Sequence, residues 1–214
     1  MASSARPRTG KKPDKPYHHG DLRRALLDEA LRTIETEGVE HLTLRTVGAK
    51  LGVSRSALYR HFADKQSLLA TVGKEGFCKL RQTLADAWDA HGHGRIGLEA
   101  MAKAYVQFAV AHPSHYRVMF GGFIESAAKD DHFMAEARAA FQVLVGALVE
   151  QQNAGDIRRD DPVLMARFVW ALVHGTALLF IDGQLPEPAQ REALEPYAAE
   201  RLYASIRQST LRAE

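Results

Sequence analysis

One cysteine in 214 residues, Cys78, leaves nothing from which to build a disulfide framework or a Cys-rich zinc module. No long stretch alternates apolar and polar residues, so half-buried strands are not expected. The motifs of common enzymes are missing as well. There is no Gly-rich phosphate loop, no G-x-S-x-G and no HExxH, and no Ser, His and Asp at a spacing that implies a triad. An enzyme reading therefore has no residue to rest on. Residues 1–16 lack an apolar h-region followed by a small-residue cleavage site, and a reducing, cytoplasmic setting is the expectation. Net charge is small, +2, with 46% hydrophobic and 25% charged residues. That balance excludes wholesale disorder and a fibrous repeat. The length allows one large domain, or a small one plus a medium one.

What is present is unevenly placed. Residues 1–80 carry 15 Lys+Arg against 9 Asp+Glu, and residues 81–214 carry 13 against 17. A basic front before an acidic rear suggests that the front meets a polyanion. Residues 1–17 hold three Pro and five Lys+Arg with few apolar side chains, which reads as a flexible basic arm. Asp21 then caps a helix whose apolar residues, Leu22 to Ile34, recur at three and four residue steps until Gly38 stops it.

The most informative stretch is TLRTVGAKLGVSRSALYRHF, residues 43–62. Thr43 caps a short helix with Leu44, Val47 and Leu51 on its apolar side. Gly52 and Val53 make the turn. Ser54 caps a second short helix to about Phe62, anchored by Val53, Ala57, Leu58 and Phe62. Arg55, Ser56, Tyr59, Arg60 and His61 are left outside. A helix anchored on one side and polar on the other fits the major groove of B-DNA. The guanidinium fork of Arg55 suits the O6 and N7 of guanine, and Ser56 is a short donor and acceptor. Tyr59, Arg60, His61 and Lys65 are long enough to reach phosphates. On periodicity alone, an ordinary αα-hairpin with a solvated polar face explains the pattern as well.

The rest reads as helix after helix. One begins at Asp64 and runs to about Ala90, and residues 91–97 (HGHGRIG) break the chain. Helices follow from about Leu98 to His112, Ser114 to Phe120, and Asp131 to Gln152. Asp161-Pro162 starts another, through the strongly apolar residues 163–181, and LPEP (185–188) separates it from a last helix over about Arg191 to Leu211. The segment 163–181 is barely long enough to span a membrane. With Arg167 and His174 inside it and no basic flank, it is expected to be a buried bundle helix.

With those residues in view, the stretch resembles the DNA-binding domain of the TetR family of transcriptional repressors over residues 20 to about 70. Thr43, Val47, Gly52, Val53, Ser54, Tyr59, His61, Phe62, Lys65, Leu68 and Leu69 carry the likeness. Gly48 departs from it, standing where the family usually has Ala. The resemblance implies that Thr43, Tyr59, His61 and Lys65 touch phosphate, and that Arg45, Arg55 and Ser56 lie near base edges; Ser54 and Arg60 complete the expected DNA set. It also implies a C-terminal bundle that binds a small effector and forms a homodimer through its last two long helices. HPSHYRVMFGG (112–122) and WALVHGTALL (170–179) resemble a subgroup with a Trp, His, Gly signature, here Trp170, His174 and Gly175.

The expectation is thus an all-α protein: a helix-turn-helix domain over 18–65, then an effector-binding and dimerisation domain over 66–214. Its partners would be a pseudo-palindromic double-stranded operator, a second copy of the chain and a small, mostly apolar effector. No cofactor, metal or membrane is called for. Met119, Phe120, Phe123, Phe141, Trp170 and His174 are the candidate pocket residues, although ordinary bundle core would account for most of them. For His174, a core histidine with one hydrogen bond and a ligand-orienting group are equally good readings. A constitutive DNA-binding protein with a filled bundle is the rival.

Overall fold

A computed structural model describes residues 19–207; the basic arm of residues 1–17 lies outside that range. Among the described residues there are nine α-helices and no strand. In order they are α1 His19–Glu37, α2 Leu44–Lys50, α3 Arg55–Tyr59, α4 Lys65–Ala90, α5 Gly94–Ala111, α6 Pro113–Phe120, α7 Asp131–Ala154, α8 Pro162–Ile181 and α9 Pro188–Ile206.

The caps explain most of the boundaries. The Thr46 backbone N–H donates to Thr43 Oγ1 at 3.0 Å, and the Thr43 N–H donates to Thr46 Oγ1 at 3.1 Å. Asp64 and Ser67 make the same reciprocal pair at the start of α4. Asp161 accepts from Val163 and Leu164 ahead of Pro162, which sits in the first turn of α8. Gly38 (φ 92°) and Gly52 (φ 66°) reverse the chain in the left-handed region, where a side chain would be strained.

Several expected boundaries move. Helix α1 starts at His19, so Asp21 lies within it rather than capping it. Helix α3 ends at Tyr59, because the Leu58 carbonyl accepts from both His61 and Phe62 and closes a turn there. The break after α4 is only residues 91–93, and α5 begins at Gly94, since Gly92, His93 and Gly94 all take positive φ. Helix α9 starts at Pro188 and carries Pro196 inside it.

Helices α1–α3 form a small head whose core is Leu22, Leu26, Leu27, Ala30, Ile34, Leu42, Val47, Leu58 and Phe62, all buried. The 26-residue α4 leaves the head and runs into the body. Its first turns bury Leu68, Leu69 and Val72; its later turns bury Phe77, Leu80, Leu84 and Trp88. It packs on α5, α6 and α7, and α8 closes the body against α5, α7 and α9. Helices α7 and α8 are long and apolar enough to cross a membrane by length and composition. In this fold each turns one face into the body. Helix α8 is therefore not buried all round, as its composition suggests. Met165, Ala166, Val169, Val173 and Ala177 face inward, whereas Leu164, Phe168, Leu172 and Leu179 make an exposed stripe at four and seven residue steps.

Candidate nucleic-acid interface and ligand cavity

The outward face of the head is built by the way α2 and α3 lock together. Leu58 is 2% exposed, and its Cδ1 stands 2.6 Å from where a Cβ on Gly48 would be. Glycine at 48 thus lets the two helices approach closely, which gives the departure from the family's alanine a packing reason. Phe62 is buried beside them, with the Arg23 guanidinium over its ring. With Leu58 and Phe62 fixed inside, geometry sends Arg55, Ser56, Tyr59 and Arg60 out, and all four are exposed.

Thr43 and Arg45 are exposed on the same module, and His61 is half-buried. Ser54 and Ser56 share a hydroxyl contact of 3.2 Å, and Ser54 also caps α3 by accepting from the Ala57 N–H. Arg55 lies over the Tyr59 ring at 5.4 Å. Among the described residues, Arg45, Arg55 and Arg60 have no carboxylate within ion-pair distance. Two other cations of the head are paired. Lys50 pairs with Glu37 at 2.6 Å and donates to the buried Thr33 hydroxyl, and Arg24 pairs with Asp28 and Glu75. Lys65 differs from the others: it is half-buried, and its Nζ donates to the Val39 carbonyl at 2.7 Å. It ties the start of α4 to the α1–α2 loop.

The body holds a partly open cavity of about 330 Å³ among α4 to α9. Of the expected pocket residues, Met119, Phe120, Phe141 and Trp170 line it; Phe123 and His174 do not. Phe123 sits past the end of α6, where its carbonyl accepts from Gln66 Nε2. His174 is held behind the wall. Its Nδ1 is 2.6 Å from the Tyr116 hydroxyl and 2.9 Å from that of Tyr105, and Trp170 Nε1–H donates to the Tyr105 oxygen at 3.0 Å.

A family model described as "Bacterial regulatory proteins, tetR family" matches residues 26–72, and one described as "Tetracyclin repressor-like, C-terminal domain" matches residues 98–202. The chain belongs to the TetR family. It is a TetR-family DNA-binding transcriptional regulator. It is 25% identical over 194 residues to an uncharacterized HTH-type transcriptional regulator of Mycobacterium tuberculosis, covering 87% of this chain and 83% of that one. Against the uncharacterized HTH-type regulator YobS of Bacillus subtilis it is 29% identical over 97 residues, 45% of this chain and half the length of that relative. A solved structure of a protein with unknown function from Rhodococcus sp. RHA1 superposes with a TM-score of 0.80 at 34% identity, covering 91% of this chain and all of that one.

In this TetR-family chain, Trp170 and His174 of the subgroup signature fall in one polar cluster with Tyr105 and Tyr116, two residues that the sequence patterns do not single out. Burial pushes the Tyr105 hydroxyl up to about 12 and Tyr116 higher still, and it pushes His174 down. All three are therefore neutral at pH 7, and the cluster is a chain of dipoles rather than of charges. Gly175 has no such explanation, since a Cβ there would meet nothing within 4 Å. Among the described residues, no three His, Cys, Asp or Glu converge as metal ligands. His93 instead stacks on Trp88 and shares a 2.7 Å hydrogen bond with Glu150.

Proposed function

We propose that this regulator binds a pseudo-palindromic operator as a homodimer and is a repressor released by a small, mostly apolar molecule in the body cavity. The observation that carries the DNA reading is the set of exposed arginines Arg45, Arg55 and Arg60, unpaired among the described residues, with Arg55 and Tyr59 on a helix pinned by Leu58 and Phe62. Arg55 and Ser56 read base edges, with Arg45 beside them. Thr43, Tyr59, Arg60 and His61 hold phosphates, and Ser54 shapes the helix start. Lys65 positions the head through Val39 beside any phosphate contact it makes. The exposed apolar stripe of α8, with α9 next to it, supports a two-fold pairing through the last two long helices. Such pairing sets the two α3 helices at half-sites one turn of DNA apart, about 34 Å, or a multiple of that. The domains would be a DNA-binding unit over 18–65 and an effector and dimerisation unit over 66–214.

The cavity supports the sensor over the constitutive rival, because a bundle with nothing to bind gains stability by filling itself. Its coupling to DNA runs through α4. A Cβ on Gly73 would stand 2.8 Å from Phe133 Cε2, and one on Gly76 would overlap Met119; both Phe133 and Met119 line the cavity. Gln66, in the first turn of α4, clasps the linker before α7: its Nε2 donates to the Phe123 carbonyl at 3.3 Å, and its Oε1 accepts from the Glu125 N–H at 3.0 Å. A ligand that favours another setting of these contacts shifts the population away from the DNA-binding spacing.

The test is selection of bound sequences from random duplex DNA, followed by operator binding with and without a panel of hydrophobic compounds. The expected outcome is an inverted-repeat site whose occupancy one compound class abolishes. Random-sequence binding alone would overturn the specific-operator reading. A ligand that binds in the cavity and leaves operator affinity unchanged would overturn the coupling.

A further inference from the structure

The cavity has a shape and a charge, not only an apolar lining. Its wall along α7 extends from Phe133 to Leu148. At 1.5 Å of rise per residue that is about 22 Å of helix. A volume of about 330 Å³ drawn out over such a length is a narrow slot rather than a round chamber. Lys129 and Met134 stand at one end; Leu148, Leu202 and Ile206 stand at the other.

Of the groups lining the slot, the Trp170 indole, the Tyr105 hydroxyl and the Glu99 carboxylate are committed, and the one cation is not. Trp170 Nε1–H is given to Tyr105, and the Tyr105 hydroxyl lies within reach of Tyr116 and His174. Glu99 is held by Arg95 at 2.6 Å, and the same guanidinium covers the Tyr203 ring at 4.9 Å. Of the carboxylates beside Lys129 in the chain, Asp130 accepts from the Phe133 N–H at 2.7 Å. Lys129 is half-buried and, among the described residues, has neither a carboxylate within ion-pair distance nor a side-chain hydrogen bond.

We propose that the slot takes an elongated apolar acid, its anionic head on Lys129 and its tail running along α7 toward Leu148 and Ile206. This deepens the effector-site reading above and rests on it for regulation, though not for binding. A single ammonium at the mouth of an otherwise apolar slot selects for one anionic group by a charge-assisted hydrogen bond. Glu99 toward the far end disfavours a second. The head would also fall on the linker that Gln66 clasps, so the recognised charge and the mechanical link to α4 share one segment, residues 123–130.

The experiment uses the full chain and four probes: dodecanoate, dodecanol, dodecylamine and benzoate. Binding is followed by calorimetry and by Trp fluorescence, since Trp170 lines the slot. Dodecanoate should bind at least about tenfold more tightly than dodecanol, the weight of one charge-assisted hydrogen bond. Benzoate should bind weakly. Lys129→Ala should bring dodecanoate to the level of dodecanol, and Lys129→Glu should make dodecylamine the preferred probe. Ala140→Phe, which blocks the slot midway, should abolish binding of all three long-chain probes. Equal binding of acid and alcohol overturns the proposal, as does an unchanged dodecanoate affinity in Lys129→Ala, benzoate as tight as dodecanoate, or no binding by any probe. If dodecanoate binds through Lys129 and neither it nor any other slot ligand alters operator affinity, the acid site stands and the sensor reading falls. If dodecanoate fails to bind while an uncharged compound binds the slot and releases the operator, the acid site falls and the sensor stands.

Discussion

In the head, a leucine methyl occupies the space a single Cβ would need, and two helices meet with nothing between them. In the body, six helices stand around a cavity of about 330 Å³. The head holds a surface: close packing behind α3 keeps Arg55 and Tyr59 at fixed outward positions, as the proposed duplex contact requires. The body gives up contacts along its own interior, and the apolar side chains lining that space lose partner atoms that a filled core would supply. A rigid reader and a hollow, adjustable chamber are therefore joined on one helix. The comparison can be broken at either end or at the seam.

The largest effect is expected in the head. Leu58→Ala removes the side chain that fills the Gly48 notch and pins α3, at a cost of about 2–5 kcal/mol. Operator binding should be lost while the body still binds its ligand and keeps most of its helical signal. Urea unfolding with paired DNA-binding and ligand-binding assays would show it. Loss of ligand binding in the same variant would mean that head and body are one packing unit, and the contrast would dissolve.

The next effect lies at the seam. His115 of α6 is 4% exposed, its Nε2 has no hydrogen-bond partner among the described residues, and its pKa is pushed down to about 4 by burial, with Lys79 adding to the shift. The folded chain keeps this ring neutral while the unfolded chain protonates it near 6.5. Unfolding therefore takes up a proton between those values, and stability falls as pH drops from about 6.5 to about 4, by roughly 3 kcal/mol at most. His115→Gln should flatten that part of the pH profile in urea titrations. An unchanged profile would mean that the loss comes from carboxylates instead.

How far each region can be read in the sequence follows from the same contrast. The head's functional surface lies within about twenty consecutive residues, where caps, turn glycine and apolar spacing are set locally, so Thr43, Gly52, Ser54 and the outward Arg55 can be placed from spacing alone. The cavity gathers Phe77, Tyr105, Met119, Phe133, Trp170 and Ile206 from six helices. Nothing local distinguishes a Phe lining space from a Phe filling it, which is why Phe123 reads as well as Phe120 and Tyr105 goes unnoticed. His174 stands out as a polar ring on an apolar helix, but its partners, Tyr105 and Tyr116, lie 69 and 58 residues away. The exposed stripe on α8 is hidden for a related reason: composition cannot separate a face covered by the same chain from one awaiting a partner.

On the DNA side, Arg55→Ala should cost about 1–3 kcal/mol in operator affinity and relax preference at one base pair. Equal weakening on specific and random duplexes would make Arg55 a phosphate contact. Its rest position over Tyr59 predicts a further, smaller loss in Tyr59→Leu, which keeps bulk and removes both the hydroxyl and the π face.

Gln66→Ala tests whether the two regions communicate through the clasp. Both arms of the amide bond the 123–125 backbone, so the variant should leave operator affinity and ligand affinity near normal when each is measured alone. It should reduce the effect of one on the other by about 0.5–2 kcal/mol. A full-strength ligand effect in this variant would place the coupling at Gly73 and Gly76 instead.

The smallest expected effect is the most exacting for the packing argument. Gly48→Ala gains about 1 kcal/mol of helix propensity in α2. Against that, its methyl would stand 2.6 Å from Leu58 Cδ1 and 3.7 Å from Val53 Cγ2. The clash is with the end of a side chain, which rotates more easily than backbone moves, but Leu58 is closed in on every side. The two terms should nearly cancel, leaving a change in head stability within about 1 kcal/mol. The decisive readout is then DNA binding. If Leu58 yields by shifting α3, operator affinity should fall by more than stability does, with the loss concentrated at the base pair read by Arg55. A variant that gains the full propensity term and binds its operator as before would show that the notch under α3 is slack, and that close packing is not what fixes the reading helix.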